Sequence, residues 1–127
     1  MRKALVVGGA NGIGLSIATE LAKRNDVEKV YIVDKASISE EFMNPKFEGY
    51  QFDLTHEDYS IFDKFQNIDA LMITAGFGRL ALLEDIDEAM IPLYFYVNTI
   101  PVLRLIKRFY GKMQSEKDFY CGVMVSI

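Results

Sequence analysis

Short apolar runs alternate with stretches of helical periodicity along this chain. Residues 3–7 and 29–33 read as strands, and residues 69–74 form a nearly continuous apolar run. Such runs suit parallel strands buried on both faces. Residues 12–24 carry a helical pattern. Residues 36–49 are polar, contain Pro45, and read as a connection with one loose turn. Tyr50-Gln51-Phe52 reads as a short third strand. Thr55 with Asp58 resembles a capping box that starts a helix through about Phe65. A long helical pattern runs from Ile86 or Pro92 to Lys112, and residues 122–127 start a fifth strand. Pro101 within that long pattern predicts a kink near Asn98, because proline removes one helical N–H and frees the carbonyl of Val97.

This βαβ alternation predicts an α/β fold, a doubly wound parallel sheet of strand order 3-2-1-4-5. Neither a linker nor a repeat divides residues 1–127, which read as a single domain. A ligand is expected beyond the carboxyl ends of the strands. Polar and glycine residues gather there: Gly8 to Gly14 after strand one, Asp34 after strand two, Asp53 after strand three, and Thr74-Ala75-Gly76 after strand four. Unrelated turn residues have no reason to converge on one edge.

The stretch Gly8-Gly9-Ala10-Asn11-Gly12-Ile13-Gly14 turns a strand directly into a helix. Backbone N–H groups at a helix start lack intrahelical partners, and the dipole there favours an anion. Gly8 permits the sharp turn, Gly12 lets the backbone approach a pyrophosphate, and Gly14 lets the helix pack closely. The spacing is G-x-x-x-G-x-G, not the common G-x-G-x-x-G, and glycine loops also serve as ordinary turns. Asp34 lies about twenty positions after Gly14, where a dinucleotide fold places an acid for the ribose hydroxyls. The plain alternative for Asp34 is a residue that ends a strand in a turn.

The chain has 127 residues, half of them hydrophobic, which suffices for one domain with a core. A net charge of −4 gives no electrostatic footprint for nucleic acid or an anionic membrane. The lone Cys121 suits a reducing compartment. The apolar run after Met1-Arg2-Lys3 stops at Gly8, too short for a signal peptide, and no stretch approaches the length of a membrane span. The expectation is a soluble, cytoplasmic protein. No Cys/His cluster has metal-ligand spacing.

Together these residues resemble the short-chain dehydrogenase/reductase family, in its compact single-domain branch, over nearly the whole chain. The family pattern T-G-x-x-x-G-x-G matches at Gly8, Gly12 and Gly14, with Val7 in place of the threonine. That substitution removes a local hydrogen bond that steadies the turn. Asp53-Leu54 resembles the family's contact to the adenine amino group. Ile73-Thr74-Ala75-Gly76 stands where the family has N-N-A-G, keeping the Ala-Gly pair and losing both asparagines. Val97-Asn98 resembles the family's helix asparagine, the fourth member of its catalytic tetrad. The alternative is a polar residue inside a helix.

The resemblance implies a Rossmann-like fold and NAD(P)-dependent hydride transfer between an alcohol and a ketone. The implied cofactor-binding residues are Gly8, Gly9, Asn11, Gly12, Ile13, Gly14, Asp34, Asp53, Leu54, Ala75 and Gly76, with Asn98 on the catalytic side. Asp34 favours NAD over NADP, since a carboxylate repels a 2′-phosphate, although Lys35 beside it softens that preference. The implied partners are the dinucleotide and a small-molecule substrate. A homo-oligomer is expected through the helix containing Leu93 and Phe109.

The family's acid–base chemistry also needs a serine and a Y-x-x-x-K pair. Aligning the fifth strand puts that serine just past Ile127, so Ser126 is not it, and the tyrosine and lysine lie further on. The single Y-x-x-x-K here, Tyr31 to Lys35, falls on a strand, where residues four apart stand about 13 Å from each other. It reads as a chance match. His56 reads as a surface residue in the first turn of its helix. The expectation is therefore the cofactor-binding part of a longer enzyme, truncated after the fifth strand. The competing reading is a non-catalytic nucleotide-binding or interaction module. A methyltransferase fits poorly, because its G-x-G-x-G loop is not found.

Overall fold

A computed structural model describes residues 2–74, 82–113 and 118–124. Five strands form one parallel sheet in the order β3-β2-β1-β4-β5: β1 is Arg2–Val7, β2 Val27–Asp34, β3 Phe47–Gln51, β4 Ala70–Ile73 and β5 Tyr120–Val123. The doubly wound reading and its strand order are therefore observed. The central strand β1 pairs Ala4 to Val7 with Val30 to Val33 on one side and with Ala70 to Ile73 on the other.

Alternation along β1 divides the core between the two faces. Val6 faces helix α1, Gly12–Ala22, and packs with Leu15, Ala18, Val30, Ile32 and Phe47. Leu5 and Val7 face the other way, into a cluster with Tyr59, Phe62, Phe65, Leu71, Ile73, Leu105 and Phe109. Leu105 and Phe109 come from helix α3, Ile100–Met113.

Three elements depart from the sequence reading. The third strand starts at Phe47 and ends before Phe52, because Phe47 is buried under α1 and pairs with Val30. The helix expected from Thr55 to Phe65 is instead a 3-10 turn, Ser60–Lys64. Its capping box is never made: the Thr55 hydroxyl donates to Asp53, and the Asp58 carboxylate accepts from the Ser60 N–H. Tyr59, Phe62 and Phe65 are spaced three apart, so a turn of three residues aims all of them at the sheet. The fifth strand begins at Tyr120, two positions before the expected start. Ser126 lies outside the described residues.

The long helix is divided at Thr99 into α2, Ile91–Asn98, and α3. Thr99 has φ −116° and ψ −53°, two residues before Pro101, which is the break expected beside Asn98. Contrary to the sequence reading, residues Glu88–Gly111 are long and apolar enough to cross a membrane by length and composition. They reach that length only across the break at Thr99, and Leu105 and Phe109 within them are buried in the core.

Phe62 stands at the centre of the aromatic layer, 1% exposed, with its ring 5.5 Å from Phe52 and 5.4 Å from Tyr59. Phe62→Ala is expected to lower stability by about 3–5 kcal/mol, read as a shift in the urea midpoint. Phe62→Leu, which refills much of the volume, is expected to cost less than half as much.

Candidate functional site

The site forms where β1 ends. Gly8 turns the chain at φ +87°, and its N–H donates to the Val33 carbonyl of β2 at 2.8 Å. Gly12 has φ +58°, and a side chain there would meet nothing within 4 Å, so the backbone is open to a ligand. Gly14 is the opposite case. A Cβ on it would fall far inside van der Waals distance of the Gly8 carbonyl oxygen and the Thr74 hydroxyl. Gly9 is buried beneath the turn against Val6 and Ile32, a packing position.

Helix α1 leaves its start open. Asn11 is the N-cap in extended conformation, its side chain makes no capping bond, and no acid stands in the first turn. Those are the conditions under which a helix start attracts an anion. Ile13 is 58% exposed on the outer lip of the turn.

Two neighbouring strands brace this turn. Thr74, directly after β4, places its hydroxyl 3.0 Å from the Val7 carbonyl and 3.1 Å from that of Gly8. Its N–H also donates to Val7. The turn that lacks a threonine hydroxyl at position 7 is thus steadied from β4. On the other side, Asp34 ends β2 with both carboxylate oxygens engaged. Oδ2 accepts the Ala10 N–H and Oδ1 the Ala36 N–H, each at 3.0 Å.

Asp53 follows β3. Its Oδ1 accepts the Thr55 N–H at 2.9 Å and the Thr55 hydroxyl at 2.7 Å, and Lys35 Nζ lies 3.7 Å from Oδ2. The Thr55 backbone bond, then the Thr55 hydroxyl, hold the Asp53 carboxyl below the usual carboxylate range, with Lys35 assisting. The Tyr59 hydroxyl donates to the Leu54 carbonyl, and burial pushes its phenol upward.

A cavity of about 470 Å³ joins these pieces. Gly8, Asn11, Asp34, Asp53 and Leu54 line it, as the convergence of strand ends required. Thr74 and Lys35, which the sequence already places at this edge, line it too, and so do Phe52, Thr55, Leu93 and Val97, which were not singled out as site residues from sequence. Position could have found Thr55, since it follows the end of β3 and the Asp53 it bonds. Nothing in the pattern marks Leu93 or Val97, which reach the cavity through the placement of α2. Gly12 and Ile13 border a shallower groove along the outside of α1. Asn98 is half-buried at the end of α2, next to the break. Ala75 and Gly76 lie outside the described residues.

Tyr31 and Lys35 do not work as a pair. The Tyr31 ring packs 5.0 Å from Phe65 in the core, whereas Lys35 is exposed and reaches Asp53. His56 is exposed but lies in a loop and not a helix, and its Nδ1 accepts the Asp58 N–H at 3.1 Å.

Gly14→Ala is expected to destabilise the protein by more than about 2 kcal/mol, since neither backbone nor a bonded hydroxyl can yield cheaply. Gly12→Ala is expected to cost only about 1–2 kcal/mol, the strain of its left-handed conformation. Paired denaturation curves give the order. Thr55→Val is expected to move the Asp53 carboxyl partway back toward 3.8, read by NMR titration. Because that carboxyl is lowered in the folded state, its stabilising contribution is present above the unfolded value and fades as pH falls through the folded one. Its side chain is 47% exposed, so the contribution is small.

No curated protein matches the chain by sequence. Many solved structures share its fold. ElxO with NADP bound is 24% identical with a TM-score of 0.79, over 98% of this chain and 55% of that one. The bulky-bulky ketone specific alcohol dehydrogenase from Comamonas testosteroni is 18% identical with a TM-score of 0.83, over 100% and 55%. An alcohol dehydrogenase from the archaeon Thermococcus sibiricus, complexed with 5-hydroxy-NADP, is 23% identical with a TM-score of 0.73, over 89% and 53%. The chain thus spans about half the length of these relatives. The family model of short chain dehydrogenases matches residues 2–125. With that match over a glycine turn, an open helix start and acids at the ends of β2 and β3, the chain belongs to the short-chain dehydrogenase/reductase family.

Proposed function

We propose that this chain is the cofactor-binding half of an oxidoreductase that transfers hydride between an alcohol and a ketone, with NAD as its cofactor. The carrying observation is the Asp34 carboxylate on the rim of the same cleft as the glycine turn and Asp53. The cleft suits a dinucleotide. The open start of α1 and the bare backbone at Gly12 fit a pyrophosphate, Asp34 fits the adenosine ribose, and Asp53 with Leu54 fits the adenine. When bound, the nicotinamide group supplies hydride transfer. This chain's part is to hold the dinucleotide and set its register across the strand ends.

Asp34 supports NAD because a 2′-phosphate would meet its negative charge. Two like charges about 4 Å apart repel by ~4 kcal/mol at an effective dielectric of ~20, less at an open rim. Lys35 supports the alternative, NADP. It is adjacent in sequence and its side chain is 82% exposed at the same rim. Two of the structural relatives also hold an NADP-type molecule. Exposed Phe95, Tyr96, Leu103 and Tyr110 on α2 and α3 support self-association through these helices. A non-catalytic nucleotide-binding module remains the competing reading. It predicts NADH binding with no turnover of any alcohol or ketone by the native protein.

Calorimetric titration is expected to show NADH binding at least about tenfold tighter than NADPH. Asp34→Asn, which keeps an acceptor oxygen for one of the two backbone N–H groups, is expected to bring the two affinities within about threefold. Equal affinities in the wild type would overturn the role given to Asp34.

A further inference from the structure

We propose that Arg104 is a positioning residue for the adenine end of the cleft, acting from helix α3 through the segment between Asp53 and Tyr59. The inference rests on the dinucleotide reading of that cleft. Residues 52–59 form no helix or strand, so their carbonyls find no partner in a regular ladder. Arg104 meets two of them together. Nη1 donates to the His56 carbonyl at 3.1 Å, and Nη2 donates to the Glu57 carbonyl. The same guanidinium lies 3.5 Å over the Tyr59 ring.

Tyr59 carries the constraint to the cleft. It is 1% exposed, its hydroxyl donates to the Leu54 carbonyl, and its ring stands 5.4 Å from Phe52, edge to face. Phe52, Asp53, Leu54 and Thr55 all line the cavity. The His56 N–H closes the turn by donating to the Asp53 carbonyl at 3.0 Å. A bidentate grip on adjacent carbonyls together with a ring contact is specific to a planar guanidinium. An ammonium keeps the charge over the ring but cannot span both carbonyls in fixed geometry. One turn further along α3, Arg108 holds Asp63 at 3.0 Å, a second tether from the same helix to the same connection.

Holding the segment before ligand arrives removes an ordering cost from adenine binding. The arginine is therefore expected to act on the adenine half of the ligand and not on the nicotinamide half. The test compares wild type, Arg104→Met and Arg104→Lys by calorimetric titration with AMP and with reduced nicotinamide mononucleotide. Thermal melts confirm that each variant is folded at the working temperature. Arg104→Met is expected to weaken AMP about tenfold and leave the mononucleotide unchanged, with Arg104→Lys in between. If Arg104→Met is too unstable, Arg104→Lys carries the same comparison with a smaller expected loss.

Unchanged AMP affinity in a folded variant, or equal losses for both ligands, overturns the inference, the second outcome marking a purely structural role. A wild type that binds neither AMP nor NADH overturns the dinucleotide reading itself, and this inference with it. A wild type that binds AMP while the variants bind it equally tightly overturns this inference alone.

Discussion

The contact between Gly14 and the pair formed by the Gly8 carbonyl and the Thr74 hydroxyl governs the architecture of the site. Here the start of α1 rests directly on the end of β1 and on the residue after β4, with no room for a single methyl group. The closeness sets the direction in which α1 leaves the sheet, and so where its open N-terminus points. It also joins the two strands through one hydroxyl, because Thr74 reaches both Val7 and Gly8.

Around that junction the cleft is assembled from strand ends that share little sequence. Asp34 draws the Ala10 N–H toward β2, which ties the glycine turn to the residue expected to read the ribose. Asp53 is held low and charged by Thr55. The two acids therefore differ in what holds them. One is bonded across the turn to a neighbouring element, the other within its own loop. A change at Asp34 alters both the charge at the rim and the geometry of the turn, whereas a change at Thr55 acts mainly on the Asp53 carboxyl.

Helix α3 takes part in the site from a distance. Its inner side buries Leu105 and Phe109, and Arg104 grips the loop beside the cleft. Its outer side exposes Leu103 and Tyr110. The break at Thr99 separates this helix from α2, whose Leu93 and Val97 form part of the cavity wall. One apolar stretch thus lines the cavity through α2 and fills the core through α3.

Much of this was legible in the residues themselves. Apolar runs long enough for buried parallel strands marked the strands of the sheet, and glycines at positions 8, 12 and 14 marked the sharp turn into α1, because both depend on local rules of pattern and backbone freedom. The same rules located Asp34 and Asp53, since a parallel sheet brings its strand ends to one edge. What pattern could not supply was partnership across the sheet. Thr55 and Asp58 obey the capping rule, yet the nearby Asp53 carboxylate took the hydroxyl, and aromatic packing favoured a 3-10 turn over a helix. Thr74 replaces a threonine hydroxyl that is missing 67 positions away, and Arg104 reaches carbonyls 47 and 48 positions before it. Local sequence determined which elements form and where the cleft opens. Tertiary structure decided which side chains hold it in shape, because such bonds join residues that only the folded chain makes neighbours.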